Sequence, residues 1–225
     1  SSFNPGFSGL NLNLNKILFS WKRKGNDYDL SLNVKSSHSK NSTASISIVG
    51  KDPLNAVFEY DLKSKTRTER WLVSKKILGK KGVRWLPVRL SSTFTSSILH
   101  NIFLRNDISL SKPIRLRKNI LGLEQLAGHK SKKLSQIAKQ MLDQSSNVTA
   151  EIIGVFAANS WGYQTPDISA SGHVMSKWFN FVSGTQGSLF ANHSGLTTES
   201  QASSLDFAKF LMREETKVVL PSLLK

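Results

Sequence analysis

The segment Tyr28-Asp29-Leu30-Ser31-Leu32-Asn33-Val34 places an apolar side chain at every second position. A period of two is the spacing of a strand with one face buried and the other wet. The pattern recurs twice. Ala44, Ile46 and Ile48 alternate with serines, and Phe58, Tyr60 and Leu62 alternate with Glu59 and Asp61. Between these runs, Lys35 to Thr43 is polar, and Gly50-Lys51-Asp52-Pro53 interrupts any ladder. The reading is an antiparallel meander over the N-terminal half. A hairpin is expected next, with Trp71, Val73 and Ile77 in one arm and Val83, Trp85 and Val88 in the other. Its turn is Gly79-Lys80-Lys81-Gly82, the glycines supplying positive φ. Pro87 lacks a ladder donor and marks the second arm as an edge.

Helical spacing follows. Phe94, Ile98, Ile102 and Phe103 share one face of a helix starting near Ser92 or Thr93. From Ser131 to Gln144, Leu134, Ile137, Ala138, Met141 and Leu142 form an apolar stripe. The apolar stretch 148–157 reads as a buried strand, Val174 to Val182 as another, and 201–213 as a last helix. The expected class is α+β: an antiparallel sheet in the N-terminal half, then three or so helices with further strands. Residues 1–14, uncharged and Asn/Gly-rich, read as an extended arm that adds either to its own sheet or to a neighbouring subunit's. Residues 15–225 read as one mixed domain. Its charge distribution offers an alternative division into a basic lobe, 15–145, and a near-neutral lobe, 146–225.

The formal charge is +16, from 31 Lys+Arg against 15 Asp+Glu. Of these, 26 basic and 9 acidic residues lie before residue 146. Such an excess repels itself and calls for an anionic partner. The candidate contacts are Lys63, Lys65, Arg67, Arg70, Lys75, Lys76, Lys80, Lys81, Arg84, Arg89, Arg115, Arg117, Lys118, Lys132 and Lys133. Trp71 and Trp85 lie amid this charge; core packing is the favoured reading for both, with stacking on bases as the alternative. Arginine forks pair with phosphate bidentately, and no base-reading motif is present, so a grip on the backbone is expected.

Catalytic signatures are sparse. The chain has no cysteine, which excludes disulfides and thiolate chemistry and fits a reducing compartment. Its five histidines lack metal-ligand spacing, so neither metal nor cofactor is expected. There is no phosphate loop and no Gly-x-Ser-x-Gly elbow. Three glycosylation sequons, at Asn41, Asn147 and Asn192, read as chance matches in a chain rich in Asn and Ser. No apolar run is long enough to span a membrane, and residues 1–7 lack the pattern of a signal peptide.

The resulting expectation is a non-enzymatic assembly protein, a viral coat or nucleocapsid subunit. It would bind RNA in preference to DNA, associate with itself and take no small-molecule substrate. It would reside in the virion or host cytoplasm. The alternatives are a matrix- or movement-type protein on an anionic membrane surface and an organellar RNA- or DNA-binding protein. A hydrolase with a basic groove ranks last.

Overall fold

A computed structural model of the chain describes residues 6, 8–35, 40–41, 46–54, 56–63, 68–111, 125 and 127–224. The class is α+β, with the sheets in the N-terminal half. The chain divides into two compact units, Ser1–Leu123 and Glu124–Lys225.

The first unit holds two sheets. β1 (Lys16–Lys24) is central in a four-stranded antiparallel sheet, between β2 (Asp27–Lys35) and β7 (Lys81–Pro87), with the short β3 (Lys40–Asn41) beyond β2. Ile17, Phe19 and Trp21 of β1 point inward, opposite Leu86, Arg84 and Gly82 of β7. The second sheet has the order β4 (Ile46–Gly50), β6 (Thr68–Val73), β5 (Phe58–Lys63). Here β4 runs parallel to β6, so the alternating segments do not form a simple meander. The core joins Ile17, Phe19, Trp71, Val73, Leu86 and Val88 with Phe94 and Ile98 of α1 (Ser91–Arg105).

The expected hairpin over 71–88 does not form. β6 belongs to the second sheet while β7 pairs with β1, so Gly79-Lys80-Lys81-Gly82 links two sheets. Neither Gly79 nor Gly82 has positive φ. Gly82 serves packing: a Cβ there would lie 2.3 Å from the ring of Trp21, which stacks on Phe19. β7 is an edge strand, the place where Pro87 costs no ladder bond. In the segment read as an arm, Gly6 N–H donates to Val88 O, and the buried Asn15 donates to Gly6 O. Residues 1–5 and 7 of it lie outside the described residues.

The second unit is helical: α2 (Leu134–Gln144), α3 (Asn147–Ser160), α4 (Ile168–Ser183), α5 (Ser204–Leu211) and α6 (Glu214–Leu224). The stretches 148–157 and 174–182, read as strands, are helices. Ser146 caps α3 by accepting from Thr149 N–H, and Asp167 caps α4 by accepting from Ala170 N–H. A left-handed Gly184 then ends α4. Among the described residues, the β-structure of this unit is one bridge between Leu189 and Gln201.

Candidate active site

The helix-to-helix corner at Ser145-Ser146-Asn147 is held from both sides. Ser145 N–H donates to Leu142 O at 3.2 Å and Ser146 N–H to Met141 O at 2.9 Å. This is a Schellman ending to α2, with Ser145 in the left-handed position at φ 49°, ψ 50°. Glycine is the usual occupant, because a Cβ in that region costs about 1–2 kcal/mol. Ser146 is then fixed from the other side as the cap of α3. Its Oγ lies 2.8 Å from Thr149 Oγ1, and its carbonyl accepts from Ala150 N–H. Ser145 is exposed, and Asn147 is half-buried in the first turn of α3, where the helix dipole is positive. A non-glycine residue kept at a left-handed position between two caps is a functional signal.

Behind the corner, the loop from Ser188 to Leu196 is tied down by buried polar groups. Glu151, 8 % exposed, accepts from His193 N–H and Ser194 N–H, each at 3.1 Å. The imidazole lies against α3 at Gly154, where a Cβ would sit 2.0 Å from the ring. Its Nε2 is 2.8 Å from Ser171 Oγ and its Nδ1 3.3 Å from the sulfur of Met175. Burial holds the His193 pKa below its ordinary value, against the opposing pull of the Glu151 carboxylate. A thioether accepts weakly and donates nothing, which places the ring proton on Nδ1 and leaves Nε2 to accept from Ser171. The pair resembles a nucleophile with its base, but Ser171 is fully buried and no carboxylate orients the ring. It is a structural contact. Gly172 lets the same loop approach, since a Cβ there would meet Phe190 O at 2.6 Å. Ser176 accepts from Phe190 N–H at 2.7 Å. An apolar cavity of about 610 Å³ opens beside this loop, lined by Met141, Ile153, Trp161, Val174, Trp178 and His193. Met141 and Ala150, also on its wall, flank the serine corner in sequence.

Among the described residues, several of the basic candidates are held by local partners. Arg70 is paired with Asp61, and Lys75 with Asp27. Arg84 stacks over Phe58 at 4.9 Å and Arg89 over Tyr60 at 4.1 Å. Trp71 is buried in the core, whereas Trp85 is exposed. Lys76, Lys80 and Lys81 are exposed near the link between the sheets, while Lys132 and Lys133 precede α2 in the other unit. Lys65, Arg67, Arg115, Arg117 and Lys118 lie outside the described residues, as does the side chain of Lys63. Among the described residues no cluster of three metal-ligating side chains occurs, and no helix is long and apolar enough to cross a membrane.

The fold is shared with penicillin binding protein 4 from Haemophilus influenzae. Its complex with a novel beta-lactam aligns at a TM-score of 0.71 and 15 % identity, covering 99 % of this chain and 52 % of that one. A second structure of that protein gives a TM-score of 0.67, 16 % identity and coverages of 99 % and 50 %. The chain thus spans about half the length of these solved structures. Residues 78–215 match the D-Ala-D-Ala carboxypeptidase 3 (S13) family, and the chain belongs to that family. No curated protein matches it in sequence.

Membership of a peptidase family overturns the reading of the chain as a non-enzymatic viral coat or nucleocapsid protein. The matrix, movement and organellar alternatives fall with it, as do the nucleic-acid and membrane partners and the exclusion of a small substrate. Net charge is evidence about partners and solubility, not about fold. Here Arg70 and Lys75 are held by carboxylates, and Arg84 and Arg89 lie over aromatic rings. The corner at Ser145 and Asn147 escaped the sequence reading because 148–157 was taken for a strand. The capping pattern Ser146-x-x-Thr149 was the available signal.

Proposed function

We propose that this chain forms one wall of an acyl-transfer site that removes the terminal D-alanine from peptidoglycan peptides ending in D-Ala-D-Ala. The observation that carries this is the left-handed serine corner, inside the stretch that matches the family. Penicillin-binding proteins and class A β-lactamases carry three short signatures: Ser-x-x-Lys with the nucleophile, Ser-Asp-Asn, and Lys-Thr-Gly. Ser145-Ser146-Asn147 fits the second, with serine at its middle position. Ser109 and Lys112 have the spacing of the first, but Ser109 is in an exposed segment after α1 and Lys112 lies outside the described residues. Lys-Thr-Gly does not occur in the sequence.

The contribution of this chain is therefore the Ser145 hydroxyl and the Asn147 amide. In the reaction the peptide C–N bond breaks as a serine oxygen takes the acyl carbon. The departing D-alanine nitrogen needs a proton, and water later releases the acyl group. A hydroxyl both donates and accepts, so Ser145 can pass that proton to the leaving nitrogen. The Asn147 amide can accept from a substrate N–H and donate to a substrate carbonyl, fixing the peptide across the corner. D-alanine release from an acylated D-Ala-D-Ala dipeptide tests the reading. Ser145→Ala and Asn147→Ala should each lower kcat/KM by about 10²-fold, while Lys80→Gln should leave it unchanged. D-alanine release that survives both Ser145→Ala and Asn147→Ala undiminished would refute it.

A further inference from the structure

The outer face of the four-stranded sheet is built in three rungs across β2, β1 and β7. The registers align Asn33, Leu18 and Trp85 in one rung and Ser31, Ser20 and Val83 in the next. Asp29, Lys22 and Lys81 make the third. Trp85 is 40 % and Val83 67 % exposed, and all three charged residues are exposed. In the middle rung, Ser20 Oγ and Ser31 Oγ are 2.7 Å apart, and Asn33 Nδ2 donates to Ser31 Oγ at 3.2 Å. Lys22 and Lys81 stand directly opposite each other, an arrangement that costs stability unless an anion lies between them. Asp29 on the far side of Lys22 offsets one of the two charges.

An indole in solvent, a row of hydroxyl and amide groups, and two juxtaposed ammonium groups make a platform of definite chemistry. A pyranose ring offers an apolar C–H face that packs on a flat indole, with hydroxyls at its rim for serine and asparagine. A carboxylate on such a ring would be drawn to the lysine pair. The Trp85 and Lys81 rungs are four residues apart along β7, roughly 13 Å at the rise of a strand. That is the reach of a short oligosaccharide rather than of a single ring.

We propose that this face binds a peptide-free stretch of an anionic glycan strand, the part of the wall polymer whose ring carboxylates carry no peptide. The choice of glycan rests on the proposed function. The probe is therefore a peptide-free glycan strand with carboxylate-bearing rings, titrated into the intact protein by calorimetry. The wild-type protein should bind it at least about tenfold more tightly than a neutral chitooligosaccharide of equal length. Trp85→Ala and the pair Lys22→Gln/Lys81→Gln should each weaken binding by about tenfold or more. Val83→Glu, which sets a like charge against the anionic strand without removing the indole, provides a second variant should Trp85→Ala fail to fold. Ser145→Ala should bind the strand unchanged. D-alanine release from a sugar-free dipeptide is measured separately, so either reading can fail alone. Absence of binding, or binding that survives all three platform variants, would overturn the proposal. So would an RNA oligonucleotide that binds as tightly as the glycan and is indifferent to Trp85→Ala, since charge alone would then account for the affinity.

Discussion

Replacing Ser145 by glycine should make the protein more stable and less active. At φ 49°, ψ 50° the serine bears the left-handed penalty of about 1–2 kcal/mol, which glycine avoids. Against this, glycine carries about 0.5–1 kcal/mol of extra freedom in the unfolded chain. Taken at the middle of both ranges, the net gain is about 0.75 kcal/mol. In a unit of about 100 residues each kcal/mol moves Tm by about 4–8 °C, so the second unit should melt about 3–6 °C higher. The Schellman bonds of Ser145 and Ser146 use backbone groups and survive the change. Ser145→Ala is the control: it keeps the strained backbone, loses the hydroxyl, and should melt close to the parent. If the hydroxyl serves the chemistry, both variants should lose D-alanine release to a similar extent while only glycine gains stability. Thermal scans by circular dichroism, paired with the release assay, separate the outcomes. A glycine variant that melts lower, or one that melts higher with undiminished activity, would refute the link between strain and function.

Glu151→Ala strips two backbone donors of their partner and should cost about 3 kcal/mol, visible as faster hydrogen exchange at the His193 and Ser194 amides. Gly82→Ala drives a methyl group into the Trp21 ring and should cost about 1–3 kcal/mol, with a change in tryptophan fluorescence as the stack on Phe19 opens. The folded His193 pKa lies below 6.5, so the unfolded chain takes up a proton that the folded one refuses. Stability of the second unit should be full above pH 6.5 and fall as pH drops towards the folded pKa. Denaturation in urea at several pH values should show this slope in the parent and a flatter one in His193→Gln.

The sheet-forming segments were legible where one face is buried and the other wet. β2, β4 and β5 follow from alternation alone, because the pleat forces every second side chain into the core. Pairing was not legible. The parallel run of β4 beside β6, and the pairing of β7 with β1 rather than β6, are set by the shared core that Phe19, Trp71 and Leu86 complete. In the second half, α3 and α4 are apolar on several faces and rich in Val, Ile and Phe, so periodicity could not tell helix from buried strand. Their ends could. Ser146-x-x-Thr149 and Pro166-Asp167-x-x-Ala170, with Gly184 after the last turn, are helix punctuation. Ser145 was hidden for a different reason: a strained φ leaves no mark in composition.

Two buried carboxylates show why a charge count misleads for this chain. Glu69 on β6 is 1 % exposed. One of its oxygens accepts from Arg89 N–H at 2.7 Å and Tyr60 O–H at 3.0 Å, the other from Leu90 N–H at 3.1 Å. Glu151 does the same in the other unit with His193 and Ser194. A carboxylate out of water is tolerated only when both oxygens are satisfied, and two consecutive backbone N–H groups converge on one carboxylate only where the chain bends. Each acid therefore fixes a bend distant in sequence: Glu69 the entry to α1, and Glu151 the loop beside the serine corner. In the sequence each lies just before an apolar run, Trp71-Leu72-Val73 after Glu69 and Arg70, and Ile152-Ile153 after Glu151. Summing them into the net charge treats them as surface. A buried acid draws backbone donors to it from elsewhere in the chain, and Glu151 draws those of the loop beside the serine corner.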